Sequence, residues 1–171
     1  MLVQIITTML TNTYTTDDLT DRVALMRRYY SVRLFAGGEQ ATIESTLADM
    51  CDTYTLGCLG QWHQAFEATH ISPLVVYEAL DEVEESVAGL PAVTLYVPVR
   101  FGHEHVVRFG TWFREHVMPN LLLTIRIDAR MVGGCGVVWN DVFHDLSLRY
   151  YMDRSRDTII TLCDTYTHVE R

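Results

Sequence analysis

Apolar residues in the first ninety positions recur at helical spacing. Leu19, Val23, Met26, Tyr30 and Leu34 follow one another at steps of three and four, which places them on one helix face. Asp17 and Asp18 are candidate N-caps for that helix, and Gly37-Gly38 is its expected stop. Ile43, Leu47, Met50 and Tyr54 form a second stripe, predicted to end near Gly57. Leu59, Trp62 and Phe66 mark a third, shorter helix, bounded by Gly60 at its start and Thr69-His70 at its end. Ser72-Pro73 opens a fourth, with serine at the cap and proline at the first helical position. Val76, Leu80, Val83 and Val87 line its face, and Gly89 and Pro91 close it. Residues 1–13 are rich in threonine, which disfavours a helix. Leu2, Ile5, Ile6, Met9 and Leu10 nevertheless share one side at helical spacing, and a short N-terminal helix is predicted. Each helix has a single apolar face and is marginal alone, so the set is expected to pack as a small bundle.

The pattern changes at Gly89-Leu90-Pro91. Val93 to Val99 is β-branched and aromatic and predicts a strand, with Pro98 at an edge or terminal position. Residues 103–118 return to helical spacing, with Val106, Phe109, Phe113 and Val117 as the expected buried stripe before Pro119-Asn120. Leu121 to Ile127 alternates as a second strand. Gly133-Gly134 then turns the chain, and the runs 136–139 and 142–143 flank Asn140-Asp141, two residues that tolerate the positive φ of a tight hairpin. From Ser147 to about Thr165 the pattern is again helical, with Leu148, Tyr151, Met152, Ile159, Leu162 and Tyr166 on one side. The predicted fold is α+β. A helical bundle over 1–90 precedes a small α/β domain over 91–171, built as strand–helix–strand, hairpin and terminal helix. The strand–helix–strand unit can form a right-handed parallel crossover.

Composition narrows the function classes. Hydrophobic residues make up 49% and charged residues 20%, a globular balance. Net charge is −9 and all thirteen basic residues are arginines. Such a surface repels phosphate backbones and anionic lipid, which argues against nucleic-acid binding and direct membrane insertion. Arg22, Arg27, Arg28 and Arg33 are read as a solvated helix face. No apolar run is long enough to cross a bilayer. The N-terminal apolar stretch has no basic residue before it, so neither a signal nor a transit peptide is expected, and the protein should stay in the compartment where it is made.

Candidate chemistry fails on spacing. Cys51, Cys58, Cys135 and Cys163 match no zinc or redox pattern and are expected to be buried thiols. His103 and His105 stand two apart and point to different helix faces, and His116 is too distant to complete a site. Gly133-Gly134-Cys135-Gly136 lacks the lysine of a phosphate loop and leads into a strand. Asp81, Glu82, Glu84 and Glu85 form an acidic helix surface, either solvated or a docking face for a basic partner. No catalytic residue, metal or cofactor is expected.

One segment carries a more specific pattern. It reads Asp128-Ala129-Arg130-Met131-Val132-Gly133-Gly134, then Cys135 to Trp139, Asn140-Asp141, Val142 to His144, and Asp145-Leu146-Ser147-Leu148-Arg149. It resembles the C-terminal signature of the delta-subunit family of F-type ATP synthases, called in mitochondria the oligomycin-sensitivity-conferring protein. That signature runs Asp-Pro-Ser-Leu-Ile-Gly-Gly, a strand, a Gly-Asp turn, a strand, then Asp-Gly-Ser and a helix. Asp128, Gly133, Gly134, Asp141, Asp145 and Ser147 fall on family positions without a gap. Ala129 and Arg130 replace Pro-Ser, Asn140 the turn glycine, and Leu146 the second glycine. The first half of the chain has no matching residue motif.

The resemblance implies a non-catalytic subunit of the peripheral stalk (the stator), which links the catalytic head to the membrane sector during ATP synthesis coupled to hydrogen-ion transport. It further implies that residues 1–90 hold N-terminal helices of the alpha subunit. Residues 91–171 would engage the C-terminus of the stalk b subunit, with the protein peripheral at the cytoplasmic face of the cell membrane. The signature residues would be structural: Asp145 or Ser147 caps the last helix, and Gly133-Gly134 makes a corner. Two alternatives remain. The peripheral-stalk subunit of V-type ATPases that also has Gly-Gly before a strand needs a long charged N-terminal helix. Residues 1–90, cut by Gly37-Gly38, Gly57 and Pro73, do not supply one. A small ligand-sensing α/β module would need a polar pocket at the strand–helix–strand unit.

Overall fold

A computed structural model of the chain describes residues 2–36 and 41–168, with the side chains of all of these except Leu2, Ala88 and 166–168. The fold is α+β, with an N-terminal helical stretch followed by a region of strands and helices. The helices are α1 (Leu2–Leu10), α2 (Thr16–Phe35), α3 (Ile43–Leu47), α4 (Thr53–Ala68), α5 (Pro73–Ser86), α6 (His103–His116), α7 (Leu148–Arg154) and α8 (Arg156–His168). The strands are β1 (Ala92–Val97), β2 (Leu122–Ile127), β3 (Gly134–Trp139) and β4 (Val142–Ser147). Two compact units result. One comprises 1–91 with 106–122, the other 92–105 with 123–171. From Val106 on, α6 thus groups with the N-terminal helices, although the sequence pattern put it with the strands on either side.

The helical unit has one apolar core. Ile5, Met9, Leu19, Val23, Met26, Tyr29, Tyr30, Leu47, Leu59, Trp62, Phe66, Val76, Leu80 and Val83 are all buried in it. These are largely the predicted stripes, including the short N-terminal helix. The N-cap of α2 is Thr15, whose side chain accepts from the Asp18 N–H, so Asp17 and Asp18 lie in the first turn instead. There they complement the positive helix end. Gly37-Gly38 and the side chains of Leu2 and Tyr166 lie outside the described residues.

The expected stop at Gly57 does not occur. Asp52 caps α4 by accepting from the Thr55 N–H, and the helix runs through both Gly57 and Gly60. Each glycine costs about 1 kcal/mol there. Burial of Cys58, Leu59, Trp62 and Phe66 on the same helix outweighs that. Met50 and Tyr54 leave the core and are exposed. At the end of α4, His70 takes a left-handed φ of 54°. The Ile71 N–H reaches back to the Phe66 carbonyl there, the expected closure. Ser72 and Pro73 start α5 as predicted.

The four strands form one sheet in the order β2-β1-β3-β4. The Leu122 N–H donates to the Pro91 carbonyl, and the Asp128 N–H to the Val97 carbonyl. Both partners advance together, so β1 and β2 run parallel, as a strand–helix–strand crossover requires. β1 pairs antiparallel with β3, and β3 with β4. Asn140 and Asp141 have φ of 49° and 60°, the paired left-handed residues of the predicted hairpin turn. Pro98 falls just past the last residue of β1, where its missing N–H removes no ladder bond.

Two predicted stripes do not form buried faces. Of the first, Val106 and Phe113 are half-buried, whereas Phe109 and Val117, just past the end of α6, are exposed; Gly110 is the buried residue of the helix. One turn on, Arg114 reaches the Leu10, Thr13 and Leu121 carbonyls. The terminal helix is split at Ser155 into α7 and α8, and Leu148, Tyr151, Met152, Ile159 and Leu162 are all exposed. Cys163 on α8 is exposed too, against expectation, while Cys58 is buried and Cys51 and Cys135 are half-buried; all four remain thiols. No described helix is long and apolar enough to cross a membrane.

Candidate functional site

In the sheet-bearing unit, four of the six signature positions meet where β3 and β4 lead into α7. Gly134 is paired with Ser147 across the ladder. The Gly133 carbonyl accepts from the Leu148 N–H at 2.9 Å. Asp145 accepts from the Ser147 N–H at 2.9 Å, and the Ser147 hydroxyl accepts from the Tyr150 N–H at 3.2 Å, capping α7. Hydrogen bonds from the Ser147 side chain and backbone hold the Asp145 carboxyl below its usual range. The sequence offered either residue as the cap of the last helix. Ser147 is the cap, and Asp145 fixes the turn that delivers it.

Gly134 has a φ of 80°, and a Cβ there would collide with the Leu146 carbonyl oxygen and lie 2.8 Å from the Ser147 Cα. Only glycine permits that approach of two backbones. The other two positions lie apart from the junction. Asp141 serves the hairpin turn. Asp128 accepts from the Arg130 backbone N–H and from its guanidinium at 3.1 Å, which lowers the Asp128 pKa. Arg130, two residues on, thus supplies the partner of the aspartate. Replacing Ser147 with alanine is expected to cost about 1 kcal/mol, the usual worth of an N-cap. Faster amide exchange confined to the first turn of α7 checks it.

The helical unit holds a second polar constellation that the sequence did not announce. Residues 11–15 link α1 to α2, and three buried or half-buried side chains converge on them. Arg22 is 4% exposed and donates to the Asn12 carbonyl and the Thr13 hydroxyl, both at 2.9 Å. Trp62 Nε1 donates to Asn12 Oδ1 at 2.8 Å. Arg114 donates to the Leu10 and Thr13 carbonyls and to the Leu121 carbonyl, with its guanidinium 4.5 Å from the centre of the Tyr14 ring. Burial lowers the Arg114 pKa while Tyr14 raises it. The C-terminal carbonyls of a helix need donors, and Arg114 supplies one at Leu10, while both arginines hold the link that follows. Arg22 is therefore not part of a solvated face. Arg27 spans to α5 by pairing with Asp81 at 2.8 Å and Glu84 at 3.2 Å, so part of the acidic run serves the bundle itself.

Chemical sites are sparse among the described residues. No group of three or more His, Cys, Asp or Glu side chains could hold a metal ion. His116 stacks on Trp112 within α6 rather than approaching a ligand set. An open groove of about 770 Å³ runs beside α2, with Asp18, Asp21, Arg27, Arg28 and Glu84 among its lining. Its charges are mixed, and it lies in the helical unit rather than at the strand–helix–strand unit.

The exposed apolar surface is the more distinctive feature. In the sheet-bearing unit Val142, Phe143 and Leu146 of β4 are exposed, as are Leu148, Tyr151 and Met152 of α7 and Ile159, Ile160 and Leu162 of α8. A scan against protein-family models matches none, and a search of curated proteins finds no match.

Proposed function

We propose that this chain is a non-catalytic stator connector of the delta type, linking the catalytic head of an F-type ATP synthase to its membrane sector. The observation that carries the reading is the junction: Gly133, Gly134, Asp145 and Ser147, aligned with the family signature, act together as a folding device that sets the start of α7. A signature that shapes backbone rather than gathering reactive groups fits a mechanical part. The apolar surface of α7 and α8 supports it, because helix-in-groove docking uses such a face. By the same resemblance, the helical unit receives N-terminal helices of the alpha subunit and the sheet-bearing unit receives the C-terminus of the b subunit. The protein then sits peripherally at the cytoplasmic face of the membrane. Its task is to resist torque.

Calorimetry with peptides from the alpha N-terminus and the b C-terminus tests this, together with co-purification from cells. Binding of the b peptide is expected to weaken about tenfold or more in a Tyr151→Ser, Ile159→Ser double variant, as loss of buried anchors does. Absence of binding to both peptides, with no ATPase subunits co-purifying, would sink the proposal.

A further inference from the structure

In the helical unit one histidine joins α2 to α4. His63 of α4 is 16% exposed and lies edge-on to the rings of Tyr29 and Tyr30 of α2. Tyr30 is 1% exposed, and its hydroxyl stands 3.0 Å from His63 Nδ1. With Nδ1 as the acceptor of that hydroxyl, the proton of the neutral ring sits on Nε2, and Arg33 Nη1 donates to the Tyr29 hydroxyl and Glu67 Oε1 rather than to Nε2. Nε2 faces Glu67 Oε1 at 3.3 Å, the Tyr29 hydroxyl at 3.4 Å and Arg33 Nη1 at 3.4 Å. Tyr29 in turn donates to the Ala41 carbonyl at 3.3 Å, just before α3.

We propose that His63 is a proton-sensitive latch of the helical unit, closing the α2–α4 seam when neutral and loosening it, with the α3 segment tied to it, when protonated. A proton on Nδ1 turns that atom into a donor and leaves the buried Tyr30 O–H with no acceptor, a loss that burial makes costly. The added charge also lies beside the Arg33 guanidinium. Glu67 on α4 and Glu44 on α3 oppose this by attracting the imidazolium. Both are exposed and screened by solvent, so they count for less. Burial is accordingly the largest influence on the His63 pKa and lowers it, with Arg33 acting in the same direction and Glu67 and Glu44 against. A folded-state pKa below the unfolded one means the unfolded chain binds the extra proton. Stability is therefore full above about pH 6.5 and falls as pH drops through and below that value. This device is independent of the stator proposal, since it concerns seams within one unit.

The test compares thermal unfolding of the wild-type chain and the His63→Gln variant at pH 7.5 and pH 5.0. Between these pH values the wild-type midpoint is expected to fall by about 4 °C or more beyond the fall of the variant. Equal falls would overturn the proposal, because a glutamine side chain cannot titrate. Nitrogen-15 spectra of the wild-type ring give a second readout that survives if the variant does not fold. They are expected to show the Nε2–H tautomer and titration below about 6.5. The Nδ1–H tautomer, or titration at or above that value, would refute the latch.

Discussion

Gly134→Ala is expected to lower the stability of the sheet-bearing unit by about 3 kcal/mol or more, whereas Gly133→Ala stays within about 1 kcal/mol. The two glycines are adjacent but meet different surroundings. At Gly134 the backbone is left-handed, with φ 80°, and the atoms facing a new Cβ are backbone: the Leu146 oxygen, the Ser147 Cα at 2.8 Å and the Leu148 nitrogen at 2.9 Å. None can rotate away, so relief requires separating β3 from the β4–α7 junction and breaking the pair Gly134–Ser147. At Gly133 a Cβ would lie 3.7 Å from the Leu148 Cβ, an ordinary contact. Urea unfolding followed by amide exchange of β3 and β4 would measure both. Similar losses at the two sites would show that the signature does not act through backbone approach at Gly134.

Arg22→Met is the second large effect, expected to destabilise the helical unit by about 3 kcal/mol. Methionine keeps much of the apolar stem but abandons the Asn12 carbonyl and the Thr13 hydroxyl, which Arg22 reaches from a nearly inaccessible position. Each buried acceptor left without a donor costs about 1–3 kcal/mol. The guanidinium also lies 5.4 Å from the centre of the Tyr54 ring, a contact the substitution removes. Arg28→Met is the matched control. Arg28 is exposed on the same helix, and its replacement is expected to change stability by no more than about 0.5 kcal/mol. Denaturant midpoints of the two variants against the wild type check this. Equal effects would mean that residues 11–15 are not held by Arg22.

These cases show what periodicity can and cannot convey. The Leu19–Val23–Met26–Tyr30 stripe is legible because a helix repeats its inward face regardless of what covers it. The same signal on α7 and α8 is equally legible as a stripe, yet the stripe is exposed. Spacing states that a face is apolar, not whether its cover comes from this chain or another. Arg22 shows the converse failure. A charged residue next to the Val23 stripe reads as solvated, since sequence does not reveal that carbonyls ten residues upstream need a donor. Gly57 and Gly60 read as helix boundaries because propensity is local, and burial of Leu59 and Trp62 overrides it. In the junction, residue types are readable and their joint geometry is not. Ser147 and Asp145 read as caps, but the collision that makes Gly134 obligatory depends on the register of β3 against β4.

The sequence by itself determined the element order, the change from helices to strands near Pro91, the Asn140-Asp141 hairpin and the family-like signature from Asp128 to Arg149. Each is written in residues near one another in the chain, through side-chain period, torsional preference or spacing. Tertiary structure alone decided that Val106–Leu122 joins the N-terminal helices, that Arg22 and Arg114 serve the link after α1, that His63 lies against Tyr29 and Tyr30, and that α7 and α8 show their apolar side to solvent. Those outcomes turn on which distant backbone groups lack hydrogen-bond partners and on which surfaces find a cover, and neither is encoded in local pattern.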